Sequence, residues 1–418
     1  MRRPKIAFFG LFGVGNLGNE ASLQAVLQYV RQQMPAAELS CICANPEFVS
    51  EHHQIATFPI DVAPQAAANY SGNMLSKIVR KLILRIPLEI YLWFKAYNYL
   101  RHVDLMVIPG TGILDDFGVG PLQMPYDLFK WALVSRLTGT KLAFASIGAG
   151  PIVHPLSRFF MKSALGMSDF RSYRDQISKD FMQSIGFHST HDPVYPDVVF
   201  GLEVDTHAPA YNTEKPPKVI GIGVMEYYGW SNSAQQGEDI YQRYIDKLTT
   251  FVAWLLEKEY EVRVLIGQSH DQRAVDDLSA TLKQRQVVYR PEQLIAEQIE
   301  SIEALFGQIA QTDVVVATRF HNVLCALMSN RPVVSIGYAK KNDVLMAEMG
   351  MGNFCQHIED FDVDKLMDQF SELVDERQQF ARQMEQKNSA YQHALAQQYA
   401  QIFDLAGTAK QSFTPEPA

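Results

Sequence analysis

Lys5-Ile-Ala-Phe-Phe-Gly10 runs without a polar break into Leu11-Phe-Gly13-Val-Gly15-Asn16-Leu-Gly18-Asn19-Glu20, after which apolar residues recur at helical spacing to Gln33. A short apolar run, a glycine turn and a helical pattern open a β-α unit with a buried parallel strand. Gly13, Gly15 and Gly18 have the Gly-x-Gly-x-x-Gly spacing that lets backbone approach a phosphate at a helix N-terminus. A dinucleotide site would also need an acid after the second strand, Glu38 to Cys43, but Ala44 and Asn45 stand there and Glu38 comes first. The glycines therefore read first as a tight strand-to-helix turn. Asn16, Asn19 and Glu20 make it a polar turn, at the sheet edge where α/β proteins bind ligands.

The same alternation extends outward from this unit. Strands are expected at Leu105 to Ile108 and Leu142 to Ile147, with helices at Tyr126 to Leu137 and Pro155 to Leu165. Around Val204 to Pro217 the pattern lapses into linker chemistry. It then restarts with strands at Val219 to Met225, Val262 to Ile266, Val314 to Ala317 and Val333 to Ile336. Helices are expected at Asp239 to Lys258, Ile295 to Ala310, Asn322 to Met328 and Val344 to Met349. Two successive α/β domains follow, 1–205 and 206–361, then a long helix or helix pair over 362–408 and a frayed tail over 409–418. A chain of 418 residues exceeds what one hydrophobic core usually serves, which agrees.

Charge and composition exclude several classes. With 37 Lys and Arg against 46 Asp and Glu the chain carries −9, so a nucleic-acid partner is not expected. Cys41, Cys43, Cys325 and Cys355 have neither Cys-x-x-Cys nor zinc spacing, which suits a reducing, cytoplasmic compartment without a structural metal. The first residues imitate a secretory signal in charge but lack its cleavage chemistry. No apolar stretch is long enough to span a bilayer. Gly-x-Ser-x-Gly, Walker and His-Glu-x-x-His motifs are absent, and His52 and His53, adjacent on an expected strand, would point apart.

One segment breaks the rhythm. Residues 74–102 hold Lys77, Arg80, Lys81, Arg85, Lys95 and Arg101 against Glu89 alone, a local charge of +5, interleaved with aliphatic and aromatic residues. This basic amphipathic helix fits either an element lying on an anionic bilayer surface or a core or dimer helix with a solvated basic edge.

The candidate chemistry gathers at strand exits. Pro109-Gly110-Thr-Gly112-Ile-Leu-Asp115-Asp116 and Ser146-Ile-Gly148-Ala-Gly150-Pro151 are two further glycine turns of the first domain. In the second, Thr318-Arg319-Phe320-His321-Asn322 follows one strand and Gly337-Tyr338-Ala-Lys340-Lys341 the next. Arginine offers a fork for carboxylate or phosphate, and histidine shuttles protons near neutral pH, so these residues suit a small dianion. Alternatively Arg319 serves an interdomain salt bridge and His321 merely starts a helix. His270 and Asp271 read as helix-start capping residues.

As an ordered set, these elements resemble the polysaccharide pyruvyl transferase family. Gly13-Val-Gly15-Asn16-Leu-Gly18-Asn19-Glu20-Ala21 is similar to its glycine loop, although Asn19 stands where Asp is usual. Gly110 to Asp116, Ser146 to Pro151, Arg174-Asp175-Gln-Ile-Ser178, Arg319-Phe-His321 and Tyr338 to Lys341 follow in the family's order. Thr111 replaces a glycine, and Asn322 a small residue.

The resemblance implies two Rossmann-like domains facing a cleft, as in GT-B glycosyltransferases, with the acceptor on the 1–205 side and the donor on the 206–361 side. It implies transfer of a pyruvyl group from phosphoenolpyruvate to a sugar of a polysaccharide or its precursor, as a ketal, with phosphate released and no metal or further cofactor. Arg174, Arg319 and Lys341 would grip the donor, and His321 would bind it or act as general acid. Gly13, Gly15, Asn16, Gly18, Asn19 and Glu20 would face the acceptor, with Asp115 or Asp116 as base. The acceptor, free or lipid-linked, the oligomeric state and peripheral attachment to the inner face of the plasma membrane stay open. So do two rivals: a nucleotide-sugar-dependent glycosyltransferase of this architecture, and a non-catalytic component of a polysaccharide assembly complex.

Overall fold

Near-continuous apolar runs, buried on both faces, become the inner strands of two parallel sheets. The computed structural model describes residues 3–61, 74–204, 211, 213–229 and 234–408. The expected tail over 409–418 and part of the expected linker lie outside these residues, as do the side chains of 74–85. The first sheet contains β1 (Lys5–Gly10), β2 (Glu38–Cys43), β3 (Ala56–Pro59), β4 (Leu105–Pro109), β5 (Lys141–Ile147) and β6 (Phe170–Tyr173), in the order β3-β2-β1-β4-β5-β6. The second contains β7 (Val219–Gly223), β8 (Glu261–Leu265), β9 (Leu294–Ile295), β10 (Val314–Ala317), β11 (Val333–Gly337) and β12 (Cys355–His357), in the order β12-β11-β10-β7-β8-β9. Numbered within its own sheet, each follows the doubly wound order 3-2-1-4-5-6.

By contacts the chain divides into two compact units. One is Met1–Val14, Ser22–Leu202 and His393–Ala418; the other is Gly15–Ala21 and Glu203–Gln392. The division assigns the glycine loop from Gly15 onward to the second unit, and splits the C-terminal segment, helices Val363–Asp375 and Arg377–Thr408, at residue 393.

Two local expectations change. His52 and His53 close a helix, Pro46–His53, that Asn45 caps by accepting from Phe48 N, so they are not on a strand. The helix expected from Ile295 begins at Ile302, because Ser301 caps it through Ala304 N. Leu294–Ile295 is instead the edge strand β9. The edge strands β3, β6, β9 and β12 run four residues or fewer, too short for a periodic signal.

The segment that broke the rhythm is a helix, Met74–Leu100, which continues through Pro87. It packs on helix Met124–Thr138 through a polar cluster. Lys130 Nζ, its side chain only 2% exposed, lies 3.0 Å from Asp127 and 3.3 Å from Glu89. Tyr126 Oη donates to Glu89 at 2.9 Å and accepts from Trp93 Nε1 at 3.0 Å. Burial would lower the Lys130 pKa, but the carboxylates of Asp127, Glu89 and Asp61 outweigh that and raise it. At Asp127 burial outweighs Lys130, and the carboxyl is pushed up to about 6. The fold therefore holds a proton that the unfolded chain releases near pH 4, so stability falls as pH rises through that window. Asp127→Asn should remove this slope. In denaturant titrations at pH 4.5 and 7, wild type should lose ground to the variant at the higher pH; a constant gap, or one closing with pH, would contradict the raised carboxyl.

Candidate active site

In the second sheet the strand order reverses between β7 and β10, and ligands of doubly wound folds bind beyond the strand ends at such a point. Thr318 and Arg319 leave β10 here, and helix Phe320–Met328 begins at once. Thr318 is fully buried and its Oγ1 lies 3.1 Å from Tyr244 Oη. Burial pushes the Tyr244 phenol up, so this exit is pinned by neutral groups. Arg319 occupies the N-cap position without capping. Its Nε and Nη2 donate to the two oxygens of Asp271 at 2.9 and 2.5 Å.

Asp271 is fully buried and also accepts from the backbone N–H of Glu226, Gly267 and Gln268 at 3.0 to 3.3 Å. The Arg319–Asp271 ion pair thus fastens the exit of β10 to the loop after β8, inside the second unit. It is not the interdomain salt bridge of the sequence alternative. Asp271 does not cap its helix with its side chain, contrary to the capping expectation. Sequence spacing gave no sign of its partner, 48 residues away.

His321 lies in the first turn of helix Phe320–Met328, with its ring against Gly18. A Cβ at Gly18 would stand 2.0, 2.1 and 2.4 Å from three imidazole ring atoms. Gly18 itself opens helix Leu17–Gln33, which Asn16 caps: its Oδ1 accepts from Gly18 N at 3.0 Å and Asn19 N at 3.3 Å. Asn16 also forms an antiparallel bridge with Gln268, beside the loop that holds Asp271. Two helix N-termini, each carrying partial positive charge, therefore meet at one histidine.

Lys341, in the first turn of helix Lys340–Glu348, places Nζ 5.3 Å from the Phe320 ring centroid and 5.0 Å from that of Tyr338. A cation at the positive end of a helix is opposed by the dipole, and an anionic ligand relieves that conflict. Asn322 is fully buried between Gly223 and Gly267, and neither side-chain polar atom has a partner among the described residues. The second unit thus brings together Gly15, Asn16, Gly18, Asn19, Glu20, Arg319, His321 and Lys341.

Gly13, Asp115, Asp116 and Arg174 belong to the first unit. Gly13, at φ +82°, leaves a Cβ no room against Asn45. The loops after β4 and β5 join: Gly148 N donates to Thr111 O at 3.1 Å and Gly150 N to Leu114 O at 3.0 Å. Asp116 accepts from Val153 N and His154 N, both at 2.8 Å, so both its oxygens hold a loop. Asp115 lies beside Gly150 and accepts from Phe117 N at 3.2 Å. Arg174 covers Gly148 and pairs with Asp175 at 3.4 Å and Asp197 at 3.5 Å. Burial raises the Asp197 pKa, against Arg174 and the Val199 N–H. Ser146, at φ +49°, is held by Gln398, whose Nε2 donates to Ser146 Oγ at 2.9 Å and Ser172 Oγ at 2.6 Å.

The fold has counterparts of very low sequence identity, which speak to architecture alone. UDP-GlcNAc 2-epimerase from Neisseria meningitidis, solved with UDP-GlcNAc, superposes with TM-score 0.57 at 11% identity over 96% of this chain and 99% of its own. The corresponding figures are 0.55, 10%, 99% and 100% for a glycosyltransferase from Rickettsia africae. They are 0.55, 8%, 88% and 92% for UDP-GlcNAc 2-epimerase from Methanocaldococcus jannaschii. These are GT-B-type folds built from two Rossmann-like domains. No curated protein sequence matches the chain. The family profile described as polysaccharide pyruvyl transferase matches residues 16–340, from the Asn16 cap to the lysine pair after β11. With that profile covering most of its length, the chain is a transferase that belongs to the polysaccharide pyruvyl transferase family.

Proposed function

We propose that the protein transfers the pyruvyl unit of phosphoenolpyruvate to two hydroxyls of a sugar, forming a ketal and releasing phosphate. The observation that carries this reading is His321, seated on Gly18 where two helix N-termini meet and near Lys341 across Phe320. The donor carries a carboxylate and a phosphate, and Lys341 with the helix N–H groups supplies charge for them. His321 donates a proton to the methylene carbon, which leaves the neighbouring carbon electrophilic. One sugar hydroxyl adds there and its proton restores the imidazolium, phosphate departs with the electrons of its carbon–oxygen bond, and the second hydroxyl closes the ketal as its proton passes to the released phosphate or to water.

Arg319, committed to Asp271 through two nitrogens, acts as a positioning residue for His321. Arg174, paired with two carboxylates, shapes the Gly148 turn. Asp116 holds its loop through both carboxylate oxygens. The acceptor is a sugar of an envelope polysaccharide or its precursor.

Incubation with phosphoenolpyruvate and with UDP-sugars, each with an oligosaccharide pool, tests the assignment. Acceptor-dependent phosphate release and a product heavier by the pyruvylidene increment are expected. Release of UDP, with phosphoenolpyruvate untouched, would instead establish the glycosyltransferase reading.

A further inference from the structure

We infer that helix Met74–Leu100 docks the protein on an anionic lipid bilayer. From Ile86 onward its residues sort onto two halves. Leu92, Ala96 and Leu100 are buried, with Trp93 and Tyr99 partly so. The opposite half carries Ile86, Ile90, Tyr91, Phe94, Lys95 and Tyr97, with Ile90 65% and Phe94 63% exposed. Helical geometry places Ile86, Ile90, Phe94 and Tyr97 along one stripe. Solvent-facing apolar residues in so regular a row are unusual for a surface that meets only water.

Charge selects the occupant. Six basic residues of 74–102 face a single acid in the sequence, and that acid, Glu89, is turned inward to Tyr126 and Lys130. The outward half therefore presents aliphatic and aromatic groups and Lys95, whose Nζ lies 5.1 Å from the Tyr91 ring centroid, with no carboxylate among its described side chains. Apolar rings and branched chains enter the headgroup boundary, and lysine and arginine reach anionic headgroups along their stems. No helix among the described residues is long and apolar enough to cross a membrane, so this element lies on the surface.

Flotation of the full chain with vesicles of phosphatidylcholine alone, or with anionic phosphatidylglycerol added, reads the inference directly. Binding is expected only with the anionic lipid and should weaken with salt. Ile90→Ser with Phe94→Ser, and separately Lys77, Arg80, Lys81 and Arg85 changed to Glu, should each cut binding by about tenfold or more. The far-ultraviolet spectrum and turnover of a water-soluble acceptor should stay unchanged. Absence of flotation, equal binding to both vesicles, or indifference to either set of substitutions overturns the inference. So does a wild-type dimer in sedimentation that the Ser pair converts to monomer, because a second copy would then own the stripe.

Discussion

On the proposed assignment, turnover should fall by about two to four orders of magnitude when His321 becomes alanine, the span expected for loss of a positioned proton donor. Melting should barely move, since the imidazole is only partly buried. Gly18→Ala should imitate much of this loss without touching the histidine. Gly18 does not have a left-handed backbone, so nothing in its own conformation demands glycine. Alanine would favour the helix by about 1 kcal/mol. What forbids it is the ring, 2.0 to 2.4 Å from the new methyl group. Displacing a catalytic group by about 1 Å costs roughly a hundredfold. In the Gly18→Ala, His321→Ala double variant the loss should be that of His321→Ala alone, because the methyl then has nothing to displace. Multiplicative losses in this cycle would show that Gly18 acts on something other than the histidine.

Asp271→Asn should destabilise the protein by about 3–5 kcal/mol, the usual cost of breaking one side of a buried ion pair. The carboxylate accepts from two guanidinium nitrogens and three backbone N–H groups. An amide puts a donor against donors on one side and leaves Arg319 without its counter-charge. Adding Arg319→Met to Asp271→Asn should recover part of that stability, because no buried charge is then left unpaired and the amide oxygen still accepts from the backbone N–H groups of the loop. Activity should not return, since His321 would still have lost the pin at the exit of β10. Denaturant unfolding beside turnover separates the two effects; a loss below about 1 kcal/mol for Asp271→Asn would mean the pair is weakly held.

Which features could be read from the chain follows from the range of the forces involved. The inner strands announce themselves because both faces are buried and every residue is apolar, as in Val314 to Ala317. The strand-exit residues Arg319, His321 and Lys341 were visible because topology puts functional groups at that edge. The partner that fixes Arg319 was not, since Asp271 is 48 residues away and looks like an ordinary helix-start acid. Gln398, which meets Ser146 across 252 residues, sits in a polar helical stretch with nothing to mark it. Nor does the motif reveal that Gly18 is small on behalf of an imidazole. A glycine pattern states where space is needed, and the occupant comes from a distant part of the chain.

Gln398 also bears on how the protein is made. The first unit holds residues 22–202 but takes its closing piece from beyond His393. Tyr29 stacks on Phe403 at 5.8 Å, and Ser146 and Ser172 wait for the Gln398 amide. During synthesis at about 5–20 residues per second, the interval between Leu202 and His393 takes roughly 10–40 s. The unit that begins the chain is therefore finished last, and a nascent chain stalled before residue 393 would expose the Tyr29 face that the C-terminal helix covers.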